Sequence, residues 1–175
     1  FCFSILVIQS NVYVGSNQQF TILANAFLDH RTYLLQTEVY PQDMVSVGDI
    51  YYWPLPPLPA ILMTPIVLLG RIFSFYPYQF YLHIILVFAS FFLAFKISKL
   101  KNFTTINSLF LAFAFCFASS YLGIAFNSMS WYLSHSITVF LALLSLYEFY
   151  TKKRFALIGI LLALILATRT TGVLI

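Results

Sequence analysis

The stretch that decides the fold is YQFYLHIILVFASFFLAFKISKLK, residues 78–101, in which a long apolar run is followed by three lysines. A helix needs roughly 20 mostly apolar residues to cross the hydrocarbon core of a bilayer, which is about 30 Å thick. The run Tyr78–Phe95 meets this requirement and carries no charged residue. It is therefore predicted to span a membrane, with Lys96, Lys99 and Lys101 beyond one face.

The composition of the whole chain also indicates a membrane protein. Of the 175 residues, 61% are hydrophobic, 19% are aromatic and only 8% are charged. An ordinary soluble domain carries about 25% charged residues. So few charges cannot cover the surface of a soluble globule, which excludes a soluble enzyme, a nucleic-acid-binding domain and a disordered tail.

The remaining apolar runs predict a multi-spanning bundle. Three further segments are long enough to span: 108–126, 131–150 and 155–175. Residues 1–8 have the character of the end of a fifth helix. The expected fold is an all-α integral membrane protein in a single transmembrane domain, with an extracytoplasmic loop of juxtamembrane helices over about residues 10–77. Because the chain starts without Met and stops inside an apolar run, we expect it to be a fragment.

The basic residues predict the orientation. Lys96, Lys99 and Lys101 follow one predicted span, and residues 152–154 (KKR) follow another span two helices later. Loops on the cytoplasmic side are enriched in lysine and arginine, and an even number of spans separates the two groups. Both groups are therefore expected on the inner face, which leaves residues 10–77 outside.

Within the outer loop, residues 17–29 predict a helix lying in the membrane interface, because their apolar positions form one broad stripe. Residues 43–53 predict a hairpin with Gly48 and Asp49 at its turn. The segment 57–70 is apolar, but as a helix it reaches only about 21 Å. It is either a short span or a helix lying flat, and its length and prolines favour the flat arrangement.

Ionisable residues at membrane depth are functional candidates because they are costly to place there. Arg169, predicted to lie towards the outer end of the last helix, could clamp a phosphate; the alternatives are a side chain that reaches the interface or pairs with a structural carboxylate. His135 could donate to a phosphate or act as a base, or it belongs to an aromatic belt with Trp131. His83 is expected to form a hydrogen bond between helices.

A carboxylate on the outer loop is the candidate general base, since transfer of a group onto a hydroxyl or amine requires one. Asp43, which precedes the hairpin, is the predicted catalytic residue. Asp49 is expected to be a turn residue and Asp29 a helix-end residue. Glu148 is expected to form an ion pair with the neighbouring basic residues. No metal-ligand spacing is present, and Cys116 is expected to be a small buried residue, as is Cys2.

Three stretches carry a resemblance to a known family. They are NQQFTILANAFLDHRTYLL (17–35), DIYYWPLPPLPAILMTPIVLLG (49–70) and LILATRTTGVLI (164–175). In their order and spacing they resemble the GT-C class of membrane glycosyltransferases, near its protein mannosyltransferase and aminoarabinose transferase branch. The first stretch is similar to that family's first juxtamembrane helix, and the second to its aromatic–Pro–Pro–Leu segment with a flat helix.

The resemblance implies transfer of a sugar from a polyprenyl-phosphate carrier to an acceptor at the outer face of a bacterial cell membrane. It implies an acidic residue on the first outer loop, as a base or as a ligand for a divalent cation. Where the family has an acidic pair, this chain has residues 16–19 (SNQQ), so Asp43 would take that role. The family's lysine before Pro-Pro is absent, which shifts phosphate binding to Arg169, with His135 supporting the leaving group.

Two other classes of function remain open. One is a non-catalytic transporter or flippase for a lipid-linked or anionic solute, and the other is a structural membrane subunit. Transporters often contain inverted repeats and helices interrupted by glycine or proline near the midplane. The prolines of this chain, which all lie between residues 41 and 77, avoid the four predicted spans.

Overall fold

The computed structural model describes residues 18–36 and 44–169. This part of the chain is mostly helical, as the predicted all-α class requires. The helices are α1 (Gln19–Leu28), α2 (Leu58–Phe73), α3 (Phe80–Leu100), α4 (Thr105–Phe117), α5 (Tyr121–Phe126), α6 (Ser130–Tyr150) and α7 (Phe155–Leu166). The strands are β1 (Leu34–Leu35), β2 (Val45–Val47) and β3 (Ile50–Tyr52).

Helices α3 and α6 are long and apolar enough to cross a membrane, and they are the two such helices in the described part of the chain. Each has 21 residues, with a mean hydropathy of 2.1 for α3 and 1.3 for α6. At about 1.5 Å per residue each is about 31 Å long, which matches the hydrocarbon core. The predictions of long apolar helices at 78–95 and 131–150 are confirmed.

Helices α3 and α6 run side by side in the same direction. Near their first residues, the side-chain amide of Gln79 donates to Oγ of Ser130 at 3.1 Å. At their last residues, Nζ of Lys101 lies 3.7 Å from the centre of the Tyr150 ring. The lysines at the end of α3 therefore lie at the same end of the bundle as the bases after α6, as the charge pattern predicted.

The prediction of one continuous helix over 108–126 is wrong. Helix α4 begins earlier, where the hydroxyl of Thr104 accepts from the backbone amide of Asn107, and it ends at Phe117. Helix α5 starts only at Tyr121. The hydroxyl of Ser119 donates to the carbonyl of Phe115 and accepts from the amide of Tyr121 at 3.1 Å. Serine hydroxyls offer the backbone an alternative to the helical hydrogen bonds, which explains the break.

The prediction of a helix over 155–175 is also wrong in its length. Helix α7 ends at Leu166, and Ala167 and Thr168 form a turn. The hydroxyl of Thr168 donates back to the carbonyl of Leu164. Arg169 therefore follows the helix instead of lying inside it.

The outer loop contains the predicted helix and hairpin. Helix α1 packs against α2, and its buried positions include Phe20, Leu23 and Ala26. Strands β2 and β3 pair antiparallel around Gly48 and Asp49, with Gly48 at φ +61°, where glycine is favoured. Strand β1, which the sequence pattern did not reveal, adds to the other edge of β3.

Helix α2 confirms that the Pro-rich apolar segment is helical. Its prolines lie mostly at or before its first turn, where a missing amide hydrogen costs least. The 16 residues reach about 24 Å, still short of the hydrocarbon core. Its flat orientation remains a prediction.

The main core joins the outer loop to the helices. Buried residues of α1, α2, α6 and α7 form one cluster, in which Trp53 also takes part. A smaller cluster contains Val87, Cys116, Tyr121 and Ala125 and links α3 to α4 and α5. Cys116 is buried and unpaired, as expected; Cys2 lies outside the described residues.

Gly70, near the end of α2, allows the chain to turn tightly towards α3. A Cβ atom at this position would lie 2.8 Å from the backbone oxygen of Phe75 and 3.2 Å from Pro77. We expect Gly70→Ala to lower the free energy of unfolding by about 1–3 kcal/mol, because the backbone must shift to make room. Thermal unfolding of the purified protein in detergent measures this change.

The matched control is Gly159→Ala in α7, where an added Cβ atom meets nothing within 4 Å. Alanine is a better helix former than glycine, so this variant should gain about 0.5–1 kcal/mol. Equal stability of the two variants would contradict the proposed close approach at Gly70.

Candidate functional site

The first turns of α1, α3 and α6 meet in a buried network of amides and one hydroxyl. The backbone amide of Gln19 donates to Oγ of Ser130 at 3.1 Å, and this hydroxyl donates to Oε1 of Gln19 at 2.7 Å. The backbone amide of Gln79 donates to Oε1 of Gln18 at 2.8 Å. The first backbone amides of a helix have no partner within it, so these contacts satisfy groups that burial would otherwise leave unpaired.

This network occupies the positions where the resemblance expects acidic residues. Gln18 is 1% exposed and Gln19 is 7% exposed, and the side-chain oxygen of each accepts a hydrogen bond. The amides therefore join helices together. Their structural role was not anticipated from the sequence, because the partners Gln79 and Ser130 are far away along the chain.

An aromatic row lies beside the network. The ring of Trp53, which follows β3, contacts the ring of Phe20 in α1 edge to face, with ring centres 5.8 Å apart. On its other side Trp53 contacts Trp131 of α6, with ring centres 5.7 Å apart. Edge-to-face pairs of this kind stabilise packing beyond the area they bury. The row therefore connects the outer loop to the start of α6.

Arg169 and His135 lie next to each other at this end of the bundle. Nη1 of Arg169 is 2.5 Å from Nε2 of His135, and both side chains are half-buried. A guanidinium group can only donate, so Nε2 must be the acceptor and the imidazole is neutral, with its proton on Nδ1. His135 is four residues after Trp131, on the same face of α6. The two residues that the sequence singled out as phosphate ligands are thus in contact.

The end of α7 brings Arg169 to this place. Its backbone amide donates to the carbonyl of Ile165 at 2.9 Å, which continues the last turn. The carbonyl of Ala167 accepts from the amide of Leu58, the first residue of α2, at 3.3 Å. The segment after the Pro-Pro pair therefore lies against the turn that carries Arg169.

Arg169 differs from the other arginines in its partner. Arg31 and Arg71 pair with Asp29, and Arg154 pairs with Glu148. Within the described ranges 18–36 and 44–169, Arg169 forms no ion pair, and its contact is with a neutral imidazole. The alternative of a pair with a structural carboxylate therefore has no support among these residues.

Two further buried donors lie in the same region. Nε2 of Gln18 and Nε1 of Trp53 have no hydrogen-bond acceptor in the described part of the chain. A buried donor without a partner costs about 1–3 kcal/mol, so such groups are rare in folded proteins. Together with the guanidinium of Arg169, they make this end of the bundle rich in hydrogen-bond donors.

A second polar group lies on the outer loop. Arg71 at the end of α2 donates to Oδ1 of Asp29 and to Oδ1 of Asn25, each at 2.8 Å. The hydrogen bond from Arg71, with its positive charge, holds the pKa of Asp29 below its ordinary value, and Arg31 adds to this effect. An open cavity of about 340 Å³ is lined by Arg71, Tyr76 and Pro77 among other residues. Asp29 is thus a helix-end residue, as expected, and it also forms an ion pair, which was not predicted.

Three of the four remaining predicted residues lie in the described part of the chain. Asp43 lies outside the described residues, so its role as the base stays a prediction. Asp49 is in the hairpin turn, as predicted. Glu148 accepts two hydrogen bonds from Arg154, at 2.7 and 2.9 Å, which confirms its ion pair. His83 approaches the carbonyl of Ala125 at 3.0 Å and so joins α3 to α5, also as predicted.

The described residues contain no group of three or more His, Cys, Asp or Glu side chains that could hold a metal ion. Comparison of the chain with protein-family models, with curated proteins and with solved structures finds no match. Function must therefore be argued from the residues themselves.

The network around Ser130 generates a stability prediction. We expect Ser130→Ala to lower the free energy of unfolding by about 1–3 kcal/mol, because it leaves the buried amide of Gln19 without an acceptor. Ser145→Ala is the matched control, since that hydroxyl donates only to the carbonyl of Leu141 in its own helix. If both variants unfold at the same temperature, the network does not hold α1 in place.

The ion pair on the outer loop generates a pH prediction. Because the pKa of folded Asp29 is lowered, its ion pair stabilises the fold above the ordinary pKa, and this contribution is lost as the pH falls through the lowered value. Arg71→Gln should raise the pKa of Asp29 towards about 3.9. A carboxyl-carbon NMR titration of both proteins checks this; an unchanged pKa in the variant would refute the pairing.

Proposed function

We propose that this protein is part of a multi-pass membrane glycosyltransferase of the GT-C type, which takes a sugar from a polyprenyl-phosphate carrier. The observation that carries the proposal is the contact between Arg169 and His135 at the donor-rich end of the bundle. Here a guanidinium group that forms no described ion pair is available to an anion.

The positions of the three stretches that carry the family resemblance support this proposal. Helix α1 belongs to the first stretch (17–35). Trp53 and most of α2 belong to the second stretch (49–70), and the turn with Arg169 belongs to the third (164–175). The ring of Trp53 contacts Phe20, and Leu58 contacts Ala167, so all three stretches meet at one end of the bundle. Segments that are distant in sequence and meet at one place can form a single binding site.

The electrostatics of this end favour a phosphate. Arg169 keeps guanidinium N–H groups that do not bond to His135, and a phosphate can accept two of them side by side. The buried donors Nε2 of Gln18 and Nε1 of Trp53, which have no acceptor among the described residues, lie in the same region. An anionic headgroup at this place is therefore stabilised from several sides.

In the proposed reaction, Asp43 accepts the proton of the acceptor hydroxyl or amine. The acceptor atom bonds to the anomeric carbon of the sugar, and the bond from that carbon to the carrier phosphate breaks. The phosphate leaves with the electron pair and so gains one negative charge. Arg169 stabilises this charge, and His135 supports the leaving group through its contact with Arg169.

The membrane arrangement is part of the proposal. Helices α3 and α6 cross the bilayer, and α4 with α5 forms a broken span between them. The hydroxyl of Ser119 bonds to the backbone on both sides of the break, which is how broken membrane helices satisfy freed backbone groups. The protein would reside in a bacterial cell membrane, as the resemblance implies.

A second candidate function is a transporter or flippase for a lipid-linked or anionic solute. One observation favours it: the segment 105–126 is an interrupted helix, a feature of many transporters. The two candidates differ in chemistry, because a flippase moves its lipid without breaking the bond between sugar and phosphate.

The test uses the two tryptophans of the chain, which both lie at the proposed site. A long-chain polyprenyl monophosphate, added to the full-length protein in nanodiscs, should change the fluorescence of Trp53 and Trp131. Arg169→Gln should weaken this binding about 10- to 100-fold, because it removes charge-assisted hydrogen bonds. Polyprenyl alcohol, which lacks the phosphate, should give no change.

Arg31→Gln is the matched control, since it makes the same substitution at an arginine that already pairs with Asp29. It should bind as the unchanged protein does; equal binding by Arg169→Gln would overturn the site. Asp43→Asn should bind the lipid normally but stop the release of polyprenyl phosphate from a sugar-loaded carrier. Movement of that carrier across vesicles without any release would instead favour the flippase.

A further inference from the structure

A second charged surface lies at the opposite end of the bundle, where α3 and α6 end together. Four lysine side chains, at positions 96, 101, 152 and 153, surround the last turns of these helices. Lys101 lies 3.7 Å from the centre of the Tyr150 ring, and Lys96 lies 4.6 Å from that of Phe92 and 5.7 Å from that of Tyr147. We call these four lysines the lysine end.

The aromatic rings contact Lys96 and Lys101 without neutralising their charges. A ring face attracts an ammonium group through its quadrupole but carries no net charge. The three N–H donors of each ammonium group therefore remain suited to an anion. Lys99 is used differently, because its ammonium group donates to the carbonyl of Phe103 and to the hydroxyl of Thr105 and so holds the next loop.

Among the described residues, one carboxylate, that of Glu148, interacts electrostatically with a lysine of this set, Lys152. Glu148 is the one described carboxylate on the last turns of α3 and α6, and both of its oxygens accept from Arg154. The C-terminus of a helix carries only about half of a negative elementary charge. Helices α4 and α7 begin at this same end, and their positive N-termini cancel the negative C-termini of α3 and α6. The helix ends therefore do not offset the charges of the four lysines.

The position of the lysine end indicates what supplies the missing charge. Each of the two helices is about 31 Å long, so their ends reach the headgroup level when they span the bilayer. Tyrosine and lysine are both suited to this level, since their apolar parts face the acyl chains and their polar ends face water. Phosphate groups of lipids are the anions present there.

We propose that the lysine end binds the phosphate headgroups of anionic phospholipids in the inner leaflet. Lys101 on Tyr150 and Lys152 in the adjoining turn form the centre of the site, and Lys96 and Lys153 flank it. The inference rests on the spanning of α3 and α6, which belongs to the proposed membrane arrangement, but it does not depend on the sugar-transfer activity.

The test compares lipid binding to the purified full-length protein by native mass spectrometry. The unchanged protein should retain phosphatidylglycerol in preference to phosphatidylcholine when the two are supplied in equal amounts. Each lysine near an anionic surface contributes about a fivefold gain in affinity. The double variant Lys101→Gln/Lys152→Gln should therefore bind phosphatidylglycerol about 25-fold more weakly, and added salt should weaken the unchanged protein further.

The double variant Lys101→Arg/Lys152→Arg is the control that keeps both charges, and it should retain the lipid. Inorganic phosphate should not compete at matched concentrations, which separates a membrane headgroup from a soluble anion. Circular dichroism checks that the Gln variant keeps its helices, as expected for exposed side chains. Unchanged phosphatidylglycerol binding in that variant would overturn the proposal.

The result of the phosphatidylglycerol test can be distinguished from the result of the polyprenyl-phosphate test. Tryptophan fluorescence reports only the end with Trp53 and Trp131, and Arg169→Gln should leave phosphatidylglycerol binding intact. If Arg169→Gln abolishes that binding while the lysine variants do not, the lipid site is at the other end and the inference is wrong. A failed sugar-transfer assay would leave the inference standing.

Discussion

Ser130, in the first turn of α6, joins three helices through its hydroxyl. This hydroxyl accepts from the backbone amide of Gln19 in α1 and from the side-chain amide of Gln79, the residue before α3. Helix ends that enter a bilayer or a protein core must have their backbone amides satisfied, because no water is available there. The glutamines at positions 18, 19 and 79 meet this requirement together with Ser130. The placement of the outer loop follows, since α1 is held on the bundle by these contacts.

The aromatic row depends on this placement. Trp53 can contact Phe20 and Trp131 at the same time only because α1 is attached to the start of α6. Helix α2 then packs on α1, and its first amide reaches the end of α7. The contact between Arg169 and His135 forms in the same region, so the candidate site is a product of the packing of the outer loop.

The two ends of the bundle have opposite chemical characters. One end combines a buried amide network with the contact between Arg169 and His135, where we propose that a phosphate binds. The other end has exposed lysines around aromatic rings and is suited to a layer of anionic headgroups. Burial explains the difference, because a donor removed from water needs a matched acceptor, whereas an exposed ammonium group interacts with any nearby phosphate.

The sequence by itself determined the apolar, helical character of the chain, the two long helices, the hairpin and the common end of the basic residues. These features depend on composition, on the length of apolar runs and on local turn residues such as Gly48. It also predicted Arg169 and His135 as phosphate ligands, because a charged or titratable side chain stands out in an apolar run.

Only the tertiary structure decided that these two side chains touch, that α4 is separated from α5, and that α7 ends before Arg169. At the break between α4 and α5 the hydroxyl of Ser119 accepts from the backbone amide of Tyr121, and such a bond is not visible in hydropathy. The amide network was equally hidden, since Gln18 and Ser130 are far apart in the chain and neither fits a local motif. Contacts between distant residues arise from packing, and for this reason they are absent from any local pattern in the sequence.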